Sequence, residues 1–177
     1  MKWLNEPASW HLEGERIVVR ADADTDFWRK THNGSVRDDG HFYFQRTEGG
    51  FQADVQVTGG YSALYDQAGL MFRVDARNWV KCGIEFVGGV QQASAVCTRD
   101  WSDWSVVAVG NPPTVWFRAQ YRAPTIEISY SIDGRSYTMI RQAYLPASRR
   151  TCVGLMAACP TGDGFDVVFD GYRLSEL

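Results

Sequence analysis

Three polar side chains interrupt the mostly apolar stretch YDQAGLMFRVDARNWVKCGIEF, residues 65–86. If its two apolar runs are strands, Gln67, Lys81 and Glu85 share one face, because alternate residues of a strand point the same way. An amide and an ammonium group donate hydrogen bonds and a carboxylate accepts them, a set that suits a polar small molecule. Lys81 and Glu85 lie about 13 Å apart along a strand, too far for an ion pair. The alternative is that each charge pairs with another surface charge and contributes little.

Small and aromatic residues on the same face would form a shallow cleft. Gly69 and Gly83 would let a ligand approach the backbone. Trp28 and Trp104 are the best stacking candidates, because each lies beside acidic residues in a turn-like context. The segment RDWSDWS, which carries Trp104, is predicted to be a loop ending at a strand. Alternation in the segment HFYF predicts that His41 and Tyr43 lie on the non-core face of their strand.

Known catalytic and metal-binding signatures are missing from the sequence, including GxSxG, HExxH and a phosphate-binding glycine loop. The segment DADTD imitates the start of an EF-hand, but Phe27 and Asn33 occupy the positions that need Gly and Glu. We therefore predict neither a metal nor a cofactor. Glu85 is the best candidate for an acid or base. A cationic Lys81 nearby would lower its pKa and favour the role of a base.

Composition excludes several classes of partner. The 177 residues carry a net charge of -3, with acids and bases interleaved, so neither nucleic acid nor an anionic membrane is an expected partner. The first sixteen residues lack the apolar region of a signal peptide, and no apolar run is as long as a transmembrane helix. Four cysteines without CxxC spacing are predicted to be free thiols in a reducing compartment. Together these features predict a cytoplasmic protein.

Strand signals recur along the whole chain, and no segment has a convincing helical pattern. The predicted strands are RIVVRA, HFYFQR, FQADVQV, AGLMFRV, WVKCGIEFV, ASAVCT, SVVAV, VWFRAQY, TIEISYSI, YTMIRQAYL, CVGLMAA and FDVVFDGYRL. About a dozen strands without crossover helices predict one all-β domain, residues 1–177, folded as a jelly-roll β-sandwich of two mostly antiparallel sheets. Asp133-Gly134 predicts a type I′ turn in a tight hairpin over residues 125–143.

One face of the 65–86 hairpin is predicted to enter the core, and its opposite face is neither fully apolar nor fully polar. The predicted core residues are Ala68, Leu70, Phe72, Val74, Val80, Cys82, Ile84 and Phe86. The opposite set mixes aromatics, glycines and charges: Tyr65, Gln67, Gly69, Met71, Arg73, Trp79, Lys81, Gly83 and Glu85. This second face is the predicted site.

Several blocks of the sequence carry a family resemblance. In chain order they are TDFWRK, YDQAGLMFRVDARNWVKCGIEF, RDWSDWSVV, YSIDGRSYTMIR and VGLMAACP. They resemble a domain-of-unknown-function family of bacteria and fungi that includes the fungal "regulation of enolase" protein and belongs to the concanavalin A-like lectin/glucanase superfamily. The resemblance runs from about Trp3 to Leu177. It implies a two-sheet jelly roll with a concave face, on which relatives in the superfamily bind or cleave sugars.

The resemblance also implies site residues, which it places on or beside the concave face. On the face are Trp28, Gln67, Lys81, Glu85 and Trp104, and at its edge are Tyr65, Asp66 and His41. Glucanases of this superfamily often carry an ExDxE pattern on one strand. Here Asp166 and Asp170 are too far apart and lack the middle acid, which argues against glycosidase activity.

Three functions remain open from the sequence. The leading hypothesis is a module that binds a carbohydrate or similar polar small molecule, with Trp28 and Trp104 stacking on it and Gln67, Lys81 and Glu85 forming hydrogen bonds. The second is an enzyme acting on a sugar or sugar acid through Glu85. The third is a protein-interaction or regulatory module, which the name of the family member suggests.

Overall fold

The computed structural model describes residues 1–148 and 150–177, which form β-strands and no helix. The strands are β1 (Lys2–Leu4), β2 (Ser9–Glu13), β3 (Arg16–Ala21), β4 (Phe27–Arg29), β5 (Val36–Asp38), β6 (His41–Thr47), β7 (Phe51–Gly59), β8 (Gln67–Arg73), β9 (Asn78–Val87), β10 (Val90–Arg99), β11 (Trp101–Gly110), β12 (Val115–Arg122), β13 (Thr125–Ser131), β14 (Thr138–Tyr144), β15 (Thr151–Ala158) and β16 (Phe165–Glu176). Within the described ranges, no helix is present that could span a bilayer.

Two seven-stranded antiparallel sheets pack face to face. The front sheet has the order β1-β6-β15-β8-β9-β10-β11, and the back sheet has the order β14-β13-β12-β7-β16-β3-β2. A separate two-stranded hairpin pairs β4 with β5. The predicted all-β sandwich of antiparallel sheets is therefore confirmed. All twelve predicted segments lie in strands, and the prediction missed only the short strands β1, β2, β4 and β5.

The main core lies between the two sheets and follows the alternation of the strands. From the front sheet it receives the predicted residues Leu70, Phe72 and Cys82, and from the back sheet it receives residues such as Val55 and Phe117. A strand that buries one face against a second sheet places every other side chain in the core. All four cysteines are free thiols, as the sequence predicted.

A second, smaller core covers much of the other face of the front sheet. Residues 22–40, here called the cover segment, contain the β4–β5 hairpin and insert the fully buried Phe27 beside Trp79, with ring centroids 6.3 Å apart. The cluster consists of Phe27, Phe42, Phe44, Met71, Trp79, Val96 and Met156. The face that was predicted to be a concave cleft is therefore partly filled.

This second core corrects the prediction for β6. Phe42 and Phe44 pack under the cover segment, whereas Tyr43 packs against the main core. The predicted orientation was wrong because alternation alone cannot tell which of two apolar faces meets the opposite sheet.

Gly69 and Gly83 lie opposite each other where β8 and β9 pair. A Cβ atom at Gly69 would lie 2.0 Å from the carbonyl oxygen of Cys82, and a Cβ atom at Gly83 would lie 2.1 Å from that of Ala68. Close approach of the two strands therefore requires these glycines, whether or not a ligand binds there.

Two local predictions were wrong. The connection between β13 and β14 covers residues 132–137, and only Gly134 of the Asp133-Gly134 pair has a positive φ, 69°. Asp133 instead accepts hydrogen bonds from the backbone N–H groups of Arg135 and Ser136, both at 2.8 Å, so a wider turn replaces the type I′ turn. The predicted loop around Trp101 and Trp104 is the first part of the edge strand β11.

Candidate functional site

The polar residues of the 65–86 hairpin lie together at one end of the outer face of the front sheet. Gln67 on β8 is directly opposite Glu85 on β9, and Lys81 lies further along β9 on the same face. A small, shallow depression of about 10 Å³, with room for about one water molecule, is lined there by Gln67, Lys81, Gly83, Glu85, Ser94 and Met156. Because the depression is shallow, a ligand the size of a sugar ring would rest on its rim.

Lys81 is only 4% exposed, and its ammonium group is held by three oxygen atoms. It donates hydrogen bonds to the Gln67 side-chain oxygen, to the carbonyl oxygen of Phe27 at 2.7 Å and to Asp26 Oδ1 at 3.4 Å. An ammonium group has three N–H donors, so this set uses all of them. Lys81 therefore joins the front sheet to the cover segment.

Gln67 extends the same network. Its side-chain nitrogen donates to Asp26 Oδ1 at 3.3 Å and to the carbonyl oxygen of Tyr65 at 3.1 Å, while its side-chain oxygen accepts from Lys81. Asp26 thus balances the charge of the buried Lys81, and the Gln67 amide fixes the positions of the Asp26 and Lys81 side chains. The N–H donors of Lys81 and Gln67 therefore already have partners within the protein.

Glu85 belongs to a separate chain of hydrogen bonds that runs to the surface. Ser94 Oγ donates to Glu85 Oε2 at 2.8 Å, and the indole N–H of Trp104 donates to Ser94 Oγ at 3.1 Å. Within residues 1–148 and 150–177, no side chain donates to the second oxygen, Oε1. This oxygen is the polar atom of the cluster that is left for a ligand.

Burial raises the pKa of the Glu85 carboxyl above its ordinary value. Lys81, Ser94 and Trp104 favour the ionised form and offset part of this effect, whereas the negative charge of Asp26 adds to it. Lys81 does lower the pKa of Glu85 as expected, but desolvation is the larger effect, so the pKa is raised overall and the predicted role of a base is not favoured. A carboxyl with a raised pKa is better suited to donate a proton.

Two exposed aromatic side chains form the rim beside Glu85. The rings of Tyr65 and Trp104 meet edge to face, with centroids 6.2 Å apart and planes at 81°. Trp104 is 41% exposed even though its indole N–H is bonded to Ser94. A flat, partly exposed ring with a fixed orientation is the kind of surface on which the apolar face of a sugar ring stacks.

Three of the residues that the resemblance implied lie away from this cluster. Trp28 packs against the second core, and its indole N–H donates to the carbonyl oxygen of Thr31 at 2.8 Å. Asp66 is fully buried and accepts from the backbone N–H groups of Ser62 and Ala63, both at 2.8 Å.

His41 is buried with both ring nitrogens in hydrogen bonds. Its Nδ1 donates to the carbonyl oxygen of Asn5 at 2.7 Å, and its Nε2 accepts from the N–H of Asp22 at 3.0 Å. The structure therefore brings together Gln67, Lys81, Glu85, Trp104 and Tyr65, and separates Trp28, Asp66 and His41 from them.

Sequence reasoning left two members of the cluster out of the predicted site. Asp26 lies 41 residues from Gln67, in the cover segment, and no local pattern indicates its position. Ser94 could have been found, because a strand pairing of β9 with β10 places it opposite Gly83, next to Glu85 on the same face.

Comparison with known proteins gives a family and a fold. The model of a family described as "Protein of unknown function (DUF1349)" matches residues 3–177. "Regulation of enolase protein 1" of Saccharomyces cerevisiae is 39% identical over 174 residues, which cover 98% of this chain and 88% of the yeast protein. The crystal structure of a functionally unknown protein from Saccharomyces cerevisiae has a TM-score of 0.95 and 38% identity, and the match covers 99% of this chain and 96% of that one.

More distant structures share the fold. Carbohydrate-binding module CBM66 from Bacillus subtilis has a TM-score of 0.62 and 13% identity, and the match covers 98% of this chain and 95% of the module. The GH43 protein BlXynB from Bacillus licheniformis has a TM-score of 0.75 and 16% identity, with 97% of this chain matching 36% of that protein. At these low identities the TM-scores show a common jelly-roll fold and nothing about function.

Proposed function

The chain belongs to the DUF1349 family of proteins of unknown function, and from that premise we propose that it binds a carbohydrate or a similar polar small molecule at the Glu85 end of the front sheet. The observation that carries the proposal is the chain of hydrogen bonds from Glu85 through Ser94 to Trp104, which ends at a partly exposed ring. It places a hydrogen-bonding oxygen next to a stacking surface.

The proposal divides the polar cluster into two roles. Glu85, Trp104 and Tyr65 contact the ligand, because Glu85 Oε1 receives no bond from the described side chains and both rings are exposed. Lys81 and Gln67 hold the cover segment against the front sheet, because their donors already have partners. A carbohydrate fits these groups, since its hydroxyls bond to a carboxyl while its C–H face stacks on an aromatic ring.

The fold is compatible with this function. A module named for carbohydrate binding has the same architecture over nearly its whole length, and a GH43 protein contains it as a part. Since fold alone does not determine function, the proposal rests on the site and uses the likeness as support.

Binding can be tested by NMR on the indole N–H groups. A panel of neutral mono- and oligosaccharides, polyols and sugar acids is titrated into protein labelled with ¹⁵N. We expect at least one saccharide to shift the indole signal of Trp104 in a saturable way and to leave that of the buried Trp79 unchanged. A panel in which no compound shifts the Trp104 signal would contradict the proposal.

An enzyme acting on a sugar is the second candidate, and the raised pKa of Glu85 favours it. A carboxyl with a raised pKa keeps its proton to higher pH and is better suited to protonate a leaving group. Glycosides and uronates that bind in the NMR panel are incubated with the protein, and products are measured by chromatography. Turnover that is lost in Glu85→Gln supports the enzyme, and binding without any product supports the module.

A further inference from the structure

The outer edge of the front sheet differs from the other sheet edges of the molecule. The edges are β1 and β11 in the front sheet and β14 and β2 in the back sheet. Strand β1 has three residues and carries Lys2, β14 carries Arg141, and β2 carries His11 and Glu13. Short length and charge are the usual protection of an edge strand against pairing.

Strand β11 has little of this protection from Trp101 to Ala108, and a β-bulge interrupts its pairing with β10 only at Val109. The strand is ten residues long, WSDWSVVAVG, with Asp103 as the one charged residue in its sequence. No strand in the described part of the chain pairs with its outer side. A long, nearly uncharged edge leaves a row of backbone N–H and C=O groups available to another strand.

Both faces of β11 also carry exposed apolar side chains. Trp104 and Val106 lie on the site face and are both 41% exposed, and Val107 on the opposite face is 44% exposed. The back sheet ends below β10, where Arg99 lies 5.4 Å from the ring centroid of Tyr144 on β14. Strand β11 therefore projects past the back sheet. Trp104, Val106 and Val107 stay exposed, whereas Ser102 is buried against Arg29 and Val109 packs against the main core.

We propose that β11 pairs with β11 of a second copy of this chain, antiparallel and about a two-fold axis at Val106, so that the two front sheets form one continuous sheet. An antiparallel pair of identical strands needs a two-fold axis perpendicular to the sheet, which keeps the site faces of both copies on the same side. In this arrangement, two residues that lie directly opposite each other point to the same face of the joined sheet. Since alternate residues of a strand share a face, the two residue numbers must add up to an even number.

A second copy fits this edge in both size and charge. With the axis at Val106, each large Trp104 lies opposite the small Ala108 of the other copy, and the two Val106 side chains face each other. Each Asp103 lies three residues from the axis, so the two Asp103 carboxylates are about 20 Å apart along the strands and do not repel strongly. The rim residue Trp104 would then stand next to the interface, and the two sites would lie on one face of the joined sheet.

The test is sedimentation of the full chain over a wide range of concentration. We expect the wild type to dimerise, and V106K to weaken dimerisation at least about tenfold, because like charges would lie directly opposite each other. V106E should weaken it in the same way, and an equimolar mixture of V106K and V106E should associate again. I132K is the matched control, since Ile132 is an exposed apolar residue in the β13–β14 turn, and it should dimerise like the wild type.

Three results would overturn the proposal. They are a wild type that stays monomeric at all concentrations, V106K that dimerises as well as the wild type, and a mixture of V106K and V106E that stays monomeric.

Hydrogen exchange of the wild type tests the same pairing without any variant. The amides of β11 should exchange more slowly as concentration rises, and exchange that does not depend on concentration counts against the pairing. Dimerisation is measured without saccharide, so its failure is separate from a failure of ligand binding.

Discussion

The ammonium group of Lys81 lies 2.7 Å from the carbonyl oxygen of Phe27, and this hydrogen bond joins the front sheet to the cover segment. Phe27 then places its ring next to Trp79, in the second core. The salt bridge between Arg73 and Asp38, with N–O distances of 2.6 and 2.7 Å, holds the β5 side of the segment. The cover segment is thus fixed by buried polar contacts as well as by apolar packing, and the ligand site is restricted to the end near Glu85.

Replacing Lys81 by Met should destabilise the fold by about 3 kcal/mol, since it removes the buried donor of the Phe27 carbonyl oxygen and the charge that balances Asp26. Urea unfolding followed by circular dichroism measures the free energy of unfolding. The control is K2M, which removes an exposed ammonium group and should change stability little. A K81M variant as stable as the wild type would show that Lys81 does not hold the cover segment.

Adding a methyl group at Gly83 should destabilise the fold by about 3 kcal/mol or more, because the new Cβ would overlap the carbonyl oxygen of Ala68. The matched control is G60A. A Cβ at Gly60 would meet only the carbonyl oxygen of Asp166, at 3.7 Å, and should be tolerated. Thermal unfolding of both variants checks this prediction, and equal melting temperatures for G83A and the wild type would contradict it.

Alternation was enough to predict the sandwich and the faces of β8 and β9, because each strand there buries one side against the opposite sheet. It was not enough in β6, where both faces carry aromatic residues and alternation gives no reason to choose which face meets the opposite sheet. In β6 the apolar residues Phe42 and Phe44 turned out to join the second core, most of whose other members, such as Met71, Val96 and Met156, lie far along the chain. Trp28 and Asp66 have local features typical of binding residues, yet the Trp28 indole N–H and Asp66 Oδ2 bond to their own loops. Asp26 completes the network with Lys81 through a contact 55 residues apart, which no spacing in the sequence indicates.

The pH dependence of stability should reflect the raised pKa of Glu85. The folded state binds this proton more tightly than the unfolded state, so the stability contributed by the protonated carboxyl is lost as pH rises. The loss begins near the ordinary Glu pKa of about 4.3 and ends above the raised folded pKa. Glu85→Gln removes the titration, so the wild type should lose free energy of unfolding relative to E85Q over this range. Urea unfolding of both proteins at a series of pH values measures the difference, and parallel pH profiles would contradict the prediction.

The central claim is that a ligand stacks on Trp104 beside Glu85, and titration calorimetry on two variants of the same strand tests it most directly. Trp101 and Trp104 are both exposed residues of β11, 57% and 41% respectively, but they are three positions apart and so lie on opposite faces. With the saccharide selected by the NMR panel, W104A should lower the affinity at least about tenfold, while W101A should bind like the wild type. Equal affinity for W104A and the wild type, or an equal loss in both variants, would contradict the account.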